Sequence, residues 1–283
     1  MRYLFSNEGG VVTGFQITLA AFSFTLILVF GGVWVFQTYG LYRFDATPQV
    51  PETLGLTGVR VVNFVSEDGA AVQAWLSLPA PGRPVLFSFY GNFSAIGPSM
   101  RRLLPLTADG TGIVMLHYRG AGGMPGQPSE ENFARDARAL YDQLDVWAGQ
   151  TIAPNRRFVH GFSLGTGVAA RLATERPFAG LVLEASMPRL CLYFQRRYHG
   201  VPLCALMWAE RYETIARIGA VGAPKLFVHG AKDRAVPLIW GQQLFAAATE
   251  PKRFVTLPDG AHADLAQHGL MAHLQAFLAR PGD

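Results

Sequence analysis

No position between Glu8 and Arg43 carries a charge, and residues 11–36 form a long apolar run containing Leu19-Ala20-Ala21-Phe22 and Leu26-Ile27-Leu28-Val29-Phe30. A helix needs about 20 apolar residues to cross a hydrocarbon core, so this run predicts one transmembrane helix. A cleaved leader is the competing expectation, and a buried core helix a third. The run exceeds the roughly 7 to 15 residues of a leader's apolar region, only Arg2 precedes it, and Tyr39-Gly40-Leu41-Tyr42 supplies no small-residue cleavage site. The expectation is an uncleaved signal-anchor. Arg2 on one flank and Arg43 on the other balance, so the positive-inside rule assigns no side of the membrane.

Behind the run, Thr47-Pro48-Gln49-Val50-Pro51 reads as a linker, because prolines stop a helix and favour extended chain. Residues 59–65 and 71–78, joined through Ser66-Glu67-Asp68-Gly69, predict a β-hairpin with an Asp-Gly turn. The pattern then changes to short continuous apolar runs at 85–90, 113–117, 158–160, 181–183, 226–229 and 254–257. Such runs suit parallel strands covered on both faces. Helical periodicity separates them. In 132–147, Phe133, Ala137, Leu140, Tyr141 and Leu144 share a face, with Ser129 as N-cap and Glu130 and Glu131 complementing the first-turn dipole. A last helix is expected over 265–278. Strand-helix alternation predicts an α/β fold with a mostly parallel, doubly wound sheet and an antiparallel N-terminal hairpin. Residues 187–223 interrupt the alternation and read as an inserted cap over the carboxyl edge of the sheet, where open α/β folds place their sites. The expected organisation is a membrane anchor over 1–45 and an α/β domain over 46–283.

Composition excludes several classes. Half the residues are apolar and 16% are charged, which fits a packed enzyme with a membrane segment and argues against disorder. The net charge of +4 comes from scattered arginines without a basic stripe and interleaved aromatics, so no nucleic-acid partner is expected. Cys191 and Cys204 lack further ligands at metal spacing; they are either two buried thiols or, on an oxidising side of a membrane, a local disulfide. No metal site is predicted. The loop Gly120-Ala121-Gly122-Gly123-Met124-Pro125-Gly126 has no Gly-Lys-Ser/Thr, so no nucleotide is expected there and no cofactor elsewhere.

The candidate chemistry centres on Gly161-Phe162-Ser163-Leu164-Gly165, preceded by a strand-like run and followed by a helical one. In that context G-x-S-x-G marks a nucleophile on a sharp strand-to-helix turn. A serine hydroxyl needs a base to take its proton and an acid to orient that base. In the order serine, acid, histidine, Asp233 and His262 follow in loops after later strands, with Glu184 the second possible acid. His117, His160 and His229 end strands, His199 falls in the cap, and His268 and His273 lie in the last helix, so these read as packing or surface residues. An oxyanion site would use the backbone amide of Leu164 and a second donor after an early strand, Asn92 first and Phe93 next.

These stretches, together with Tyr90-Gly91-Asn92, Tyr118-Arg119-Gly120, Pro128-Ser129-Glu130-Glu131, His229-Gly230 through Asp233 to Val236-Pro237, and Pro251-Lys252-Arg253-Phe254 through His262, resemble the α/β-hydrolase superfamily. Within it the chain is similar to the Bem-like membrane-anchored serine hydrolases, in family order across nearly the whole α/β domain. The resemblance implies a Ser163, Asp233, His262 triad and an oxyanion donor near Asn92. Tyr90 departs from the family, where many members have histidine before Gly-Asn, which alters the shape of the oxyanion loop. Ester, thioester and amide substrates have all been proposed for the family, so the resemblance does not choose among them. The expected activity is hydrolysis of a carboxylic ester or thioester through an acyl-enzyme; the alternatives are an amide or peptide hydrolase and a non-catalytic interaction protein keeping the fold. The aromatic, basic stretch 192–198 suits a small-molecule or lipid-like acyl substrate at a membrane, although ordinary packing over the sheet is the reading slightly favoured for it.

Overall fold

The computed structural model describes residues 8–281; Arg2, one flank of the apolar run, lies outside them. Apolar side chains on every side leave nothing to orient Glu8–Val35 against a protein core, and it forms one continuous helix, α1. Its span Gly14–Gly40 has mean hydropathy 2.2 and is almost entirely exposed, long and apolar enough to cross a membrane. A π-helical turn, Phe36–Gly40, ends it.

Eight strands form one sheet in the order β1-β2-β4-β3-β5-β6-β7-β8. They are β1 Arg60–Val65, β2 Ala71–Ser77, β3 Val85–Phe89, β4 Gly112–His117, β5 Arg157–Phe162, β6 Gly180–Glu184, β7 Lys225–Gly230 and β8 Lys252–Leu257. β1 and β2 are the expected antiparallel hairpin, β2 also pairs antiparallel with β4, and every other pairing is parallel. β3, β4, β6 and β7 are buried throughout, the reason their apolar runs are continuous rather than alternating. The helices are α2 Ile96–Leu103, α3 Glu130–Ala148, α4 Gly165–Glu175, α5 Leu190–Arg197, α6 Leu203–Leu206, α7 Thr214–Arg217, α8 Leu238–Ala247 and α9 Leu270–Ala279. Ser129 caps α3 by accepting the Asn132 amide at 3.0 Å. The helix expected over 265–278 is two pieces: a 3-10 turn Leu265–His268, then α9, divided where Gly269 takes φ 98°.

The interrupting segment holds three short helices, α5, α6 and α7, and Cys191 and Cys204 form a disulfide between α5 and α6. This chooses between the two states left open for the cysteines. Residues 41–45 run from the end of α1 into the α/β core. Leu41 is fully buried, and Phe44 packs within 5.3 Å of Tyr118, 6.0 Å of Tyr90 and 6.0 Å of Phe133 (ring centroids). The Tyr42 hydroxyl meets Tyr212 at 2.7 Å and also bonds Glu210, while the Gly122 amide donates to the Asp45 carbonyl at 2.7 Å. The end of α1 touches the cap through Phe36, 5.1 Å from Phe194 and 5.8 Å from Tyr198, and through Gln37, whose Oε1 accepts the Ala209 amide at 2.9 Å.

With the disulfide intact, iodoacetamide added to the denatured, unreduced chain adds no mass at Cys191 or Cys204, and prior reduction adds two labels. Two labels without reductant would show free thiols instead.

Candidate active site

β5 runs into α4 through a turn that puts Ser163 at φ 53°, a left-handed conformation that costs a residue with a side chain roughly 1 to 3 kcal/mol. The flanking glycines follow from close approach of backbone to backbone. A Cβ on Gly161 would collide with the Gly165 carbonyl and the Thr166 Cα, and one on Gly165 would collide with the carbonyls of Phe89 and Tyr90 at the end of β3. The turn is fastened by the Ser163 amide donating to the Glu184 carbonyl at 2.9 Å and by the Thr166 amide and hydroxyl donating to the Ser163 carbonyl at 3.0 and 2.6 Å. The Ser163 hydroxyl faces a cavity of about 240 Å³ walled by Phe162, Met187, Leu190, Tyr193 and Ala263, a largely apolar pocket.

Asp233 and His262, from the loops after β7 and β8, meet at this serine. The buried Asp233 carboxylate accepts the amides of Ala235 and Val236 on Oδ1 at 2.9 and 2.8 Å, leaving Oδ2 for His262 Nδ1 at 2.8 Å. A carboxylate only accepts, so Nδ1 carries the proton and the unprotonated Nε2 faces Ser163 Oγ at 3.1 Å, placed to take a proton from it. His229 stands 3.6 Å from Asp233 but donates through Nε2 to the Val236 carbonyl at 2.9 Å. Burial lowers its pKa, so it stays neutral and leaves the Asp233 charge to His262.

Glu184, the other candidate acid, is brought to a different histidine. Its Oε2 accepts from His160 Nε2 at 3.0 Å and its Oε1 from Arg102 at 2.5 Å, while the Ser88 hydroxyl faces His160 Nδ1 at 3.0 Å. Burial alone would raise the carboxyl; Arg102 and His160 overcome it and hold Glu184 at about 2. Burial lowers the His160 pKa against the pull of Glu184, so the ring is neutral, donating to Glu184 and accepting from Ser88. This network lies beneath the turn, and Arg102 stacks 4.8 Å over Phe162. Arg102 and Ser88 gave no sequence signal, since neither belongs to a motif.

Of the candidate oxyanion donors, the Phe93 amide is occupied by Asn92 Oδ1 at 3.1 Å. No acceptor is present for the backbone amides of Asn92 and Leu164 among the described residues, and both residues line the cavity with Ser163. The Asn92 side chain does something the sequence did not indicate. Its Nδ2 donates to the Leu41 carbonyl at 2.8 Å and its Oδ1 accepts the Arg43 amide at 2.7 Å, so it ties this loop to the chain leaving α1. Tyr90, the departure from the family pattern, is buried, with its hydroxyl accepting the Tyr118 amide at 3.2 Å. It shapes the loop through packing.

Arg102→Ala leaves the Glu184 carboxylate buried beside a neutral histidine, and a buried ion that loses its partner costs about 3 kcal/mol. Urea unfolding should show that loss, and adding Glu184→Gln to Arg102→Ala should recover part of it. A single variant as stable as the native chain would mean that the pair contributes nothing.

No protein-family model matches the chain. An uncharacterized protein of Mycobacterium tuberculosis is 35% identical over 235 residues, 82% of this chain and 82% of that one. The alpha/beta hydrolase domain-containing protein WAV2 of Arabidopsis thaliana is 29% identical over 282 residues, covering 92% and 88%. Among solved structures, the Pyrococcus furiosus esterase Pf2001 superposes with a TM-score of 0.65 at 16% identity, covering 86% of this chain and 99% of the esterase. The strand order, the turn at Ser163 and these relatives agree: the chain belongs to the α/β-hydrolase superfamily.

Proposed function

We propose that the protein is a membrane-anchored serine hydrolase that cleaves carboxylic ester or thioester bonds through an acyl-enzyme. The observation that carries this reading is the continuous line from Asp233 through His262 to Ser163, with separations of 2.8 and 3.1 Å, opening on an apolar cavity. His262 Nε2 takes the Ser163 proton as Oγ attacks the acyl carbon, and the imidazolium formed is balanced by Asp233. The carbonyl oxygen becomes an oxyanion facing the Leu164 and Asn92 amides. His262 then gives its proton to the departing alkoxide or thiolate, leaving Ser163 acylated. Water, deprotonated by His262, attacks the acyl carbon, and collapse returns the proton to Ser163 and releases the carboxylic acid. α1 supports an anchoring role by its length and hydropathy, and the Cys191–Cys204 disulfide supports an α/β domain facing an oxidising compartment. The walls of the cavity suit a lipid-like acyl group.

A fluorophosphonate probe should label the folded native chain, with labelling lost in Ser163→Ala and turnover of p-nitrophenyl esters or acyl thioesters reduced by at least about a thousandfold. An intact native fold that neither labels nor turns over any ester or thioester would leave a binding protein; cleavage of anilides alone would point to an amidase.

Asn92→Ala removes both links to the chain leaving α1 and loosens a proposed oxyanion donor. The expected result is a fall in kcat of about tenfold or more with little change in KM; unchanged kcat would remove the Asn92 loop from the mechanism. For the anchor, carbonate-washed membranes should retain the chain, and its release would argue against a spanning α1.

A further inference from the structure

A second depression, about 650 Å³ and open to solvent, adjoins the cavity over Ser163 and shares Phe93, Tyr193 and Ala235 with it as walls. Arg196, Arg197, Arg234 and His199 line it. The arginines of the body are engaged by carboxylates, as at Arg119, Arg138, Arg171 and Arg176. The three guanidiniums here meet no carboxylate among the described residues, so a cluster of like charge is left to outside anions. Phe93 in its wall is 62% exposed, and in the cap that carries Arg196 and Arg197 the large apolar side chains of Tyr198, Val201 and Trp208 are 47%, 43% and 50% exposed.

The position of α1 says what covers this surface. Trp34 and Tyr39 stand where α1 leaves its apolar stretch, the aromatic pair expected at the boundary between hydrocarbon and headgroups. Trp208 packs on Phe30, ring centroids 6.0 Å apart. Phe30 lies four residues before Trp34, about 6 Å deeper at 1.5 Å per residue. The Trp208 ring therefore lies against the apolar stretch of α1 and not beyond its end. Tyr198 touches Phe36 and Ala209 bonds Gln37, at the boundary itself.

We propose that the cap face bearing Trp208, Val201 and Tyr198 is embedded in one leaflet of the bilayer, with Arg196, Arg197 and Arg234 at headgroup level against anionic lipid phosphates. This rests on the reading of α1 as a membrane span, and names the occupant of the surface as the lipid bilayer. Tyr and Trp suit such a face because one end is apolar and the other polar, and arginine reaches water or phosphate while its stem stays in contact with acyl chains. The mouth of the Ser163 cavity then opens among the headgroups, and the acyl chain passes to it from the leaflet without crossing water.

The test uses the full chain in vesicles of phosphatidylcholine brominated high on the acyl chains, with tryptophan fluorescence as readout. Trp34→Phe removes the tryptophan of α1. That variant should still be quenched by the brominated lipid, and most of the quenching should vanish in Trp34→Phe with Trp208→Phe. Flotation with the vesicles but equal quenching in the two variants, or none in the first, overturns the proposal while leaving the span reading intact. Failure to float overturns both. Fluorophosphonate labelling of the same samples reports the hydrolase reading separately. In a second arm, Arg196→Gln with Arg197→Gln should slow hydrolysis of a long-chain ester about fivefold in vesicles containing phosphatidylglycerol, with hydrolysis of a soluble short-chain ester unchanged. Equal loss on both substrates would assign the arginines to the cavity instead and overturn their role at the bilayer.

Discussion

The site depends on close contact between backbones: the turn carrying Ser163 folds back on itself so tightly that Gly161 has no room for a Cβ, and lies against the end of β3 so closely that Gly165 has none either. That approach holds Ser163 at positive φ and starts α4 within two residues of it. It also brings the Asn92 loop, which follows β3, to the same side of the cavity as the Leu164 amide. A Cβ at Gly161 would force β5 from the start of α4, and one at Gly165 would force that start from the end of β3, so both glycines hold the Leu164 amide in its place beside the Asn92 loop. The strain at Ser163 is sustained by hydrogen bonds on both sides of it, from its own amide to β6 and from Thr166 to its carbonyl.

Two buried carboxylates beside this turn show how environment separates chemistry from scaffolding. Asp233 is held by backbone amides, neutral donors that orient one oxygen and leave the other to a partly exposed histidine. Glu184 is held by a guanidinium and a fully buried histidine, which leaves none of its charge for another partner. A histidine whose proton is fixed in a closed network is unable to shuttle it, whereas His262 has one nitrogen fixed and the other directed at a hydroxyl in a cavity. His160, three residues before the serine in the chain, is thereby structural despite its proximity.

Much of the fold was legible because it is encoded locally. The hairpin, the buried strands and the Ser129 cap each occupy one contiguous stretch with its own periodicity or turn chemistry, and the structure has them within a residue or two. The strand order that brings Ser163, Asp233 and His262 within hydrogen-bond distance was implicit in their order along the chain. What stayed hidden is long-range or singular. Nothing near Asn92 indicates that its side chain will hold Leu41 and Arg43, some fifty residues earlier. Arg102 lies on α2 as one arginine among many, and only the packing of α2 over the sheet turns it toward Glu184. The state of Cys191 and Cys204 turned on whether α5 and α6 fold back on each other, which no pattern within 187–223 states. Gly269 split a periodic run because periodicity reports which face is buried and not whether φ stays helical.

Those hidden contacts change what the N-terminal helix is. A tether would end at the membrane and hand over to a linker, but here the five residues after Gly40 are built into the domain: Leu41 and Phe44 in its core, Tyr42 bonded to the segment after α6, and the Asp45 carbonyl closing the glycine loop at Gly122. Through Asn92 the same residues reach the loop that walls the Ser163 cavity. A displacement of α1 relative to the domain would therefore be resisted by the aromatic cluster at Phe44, and what displacement remained would be transmitted to the position of the Asn92 amide. The orientation of the α/β domain relative to α1 and the geometry around Ser163 are consequently set by the same few residues, and neither can be altered at 41–45 without moving the other.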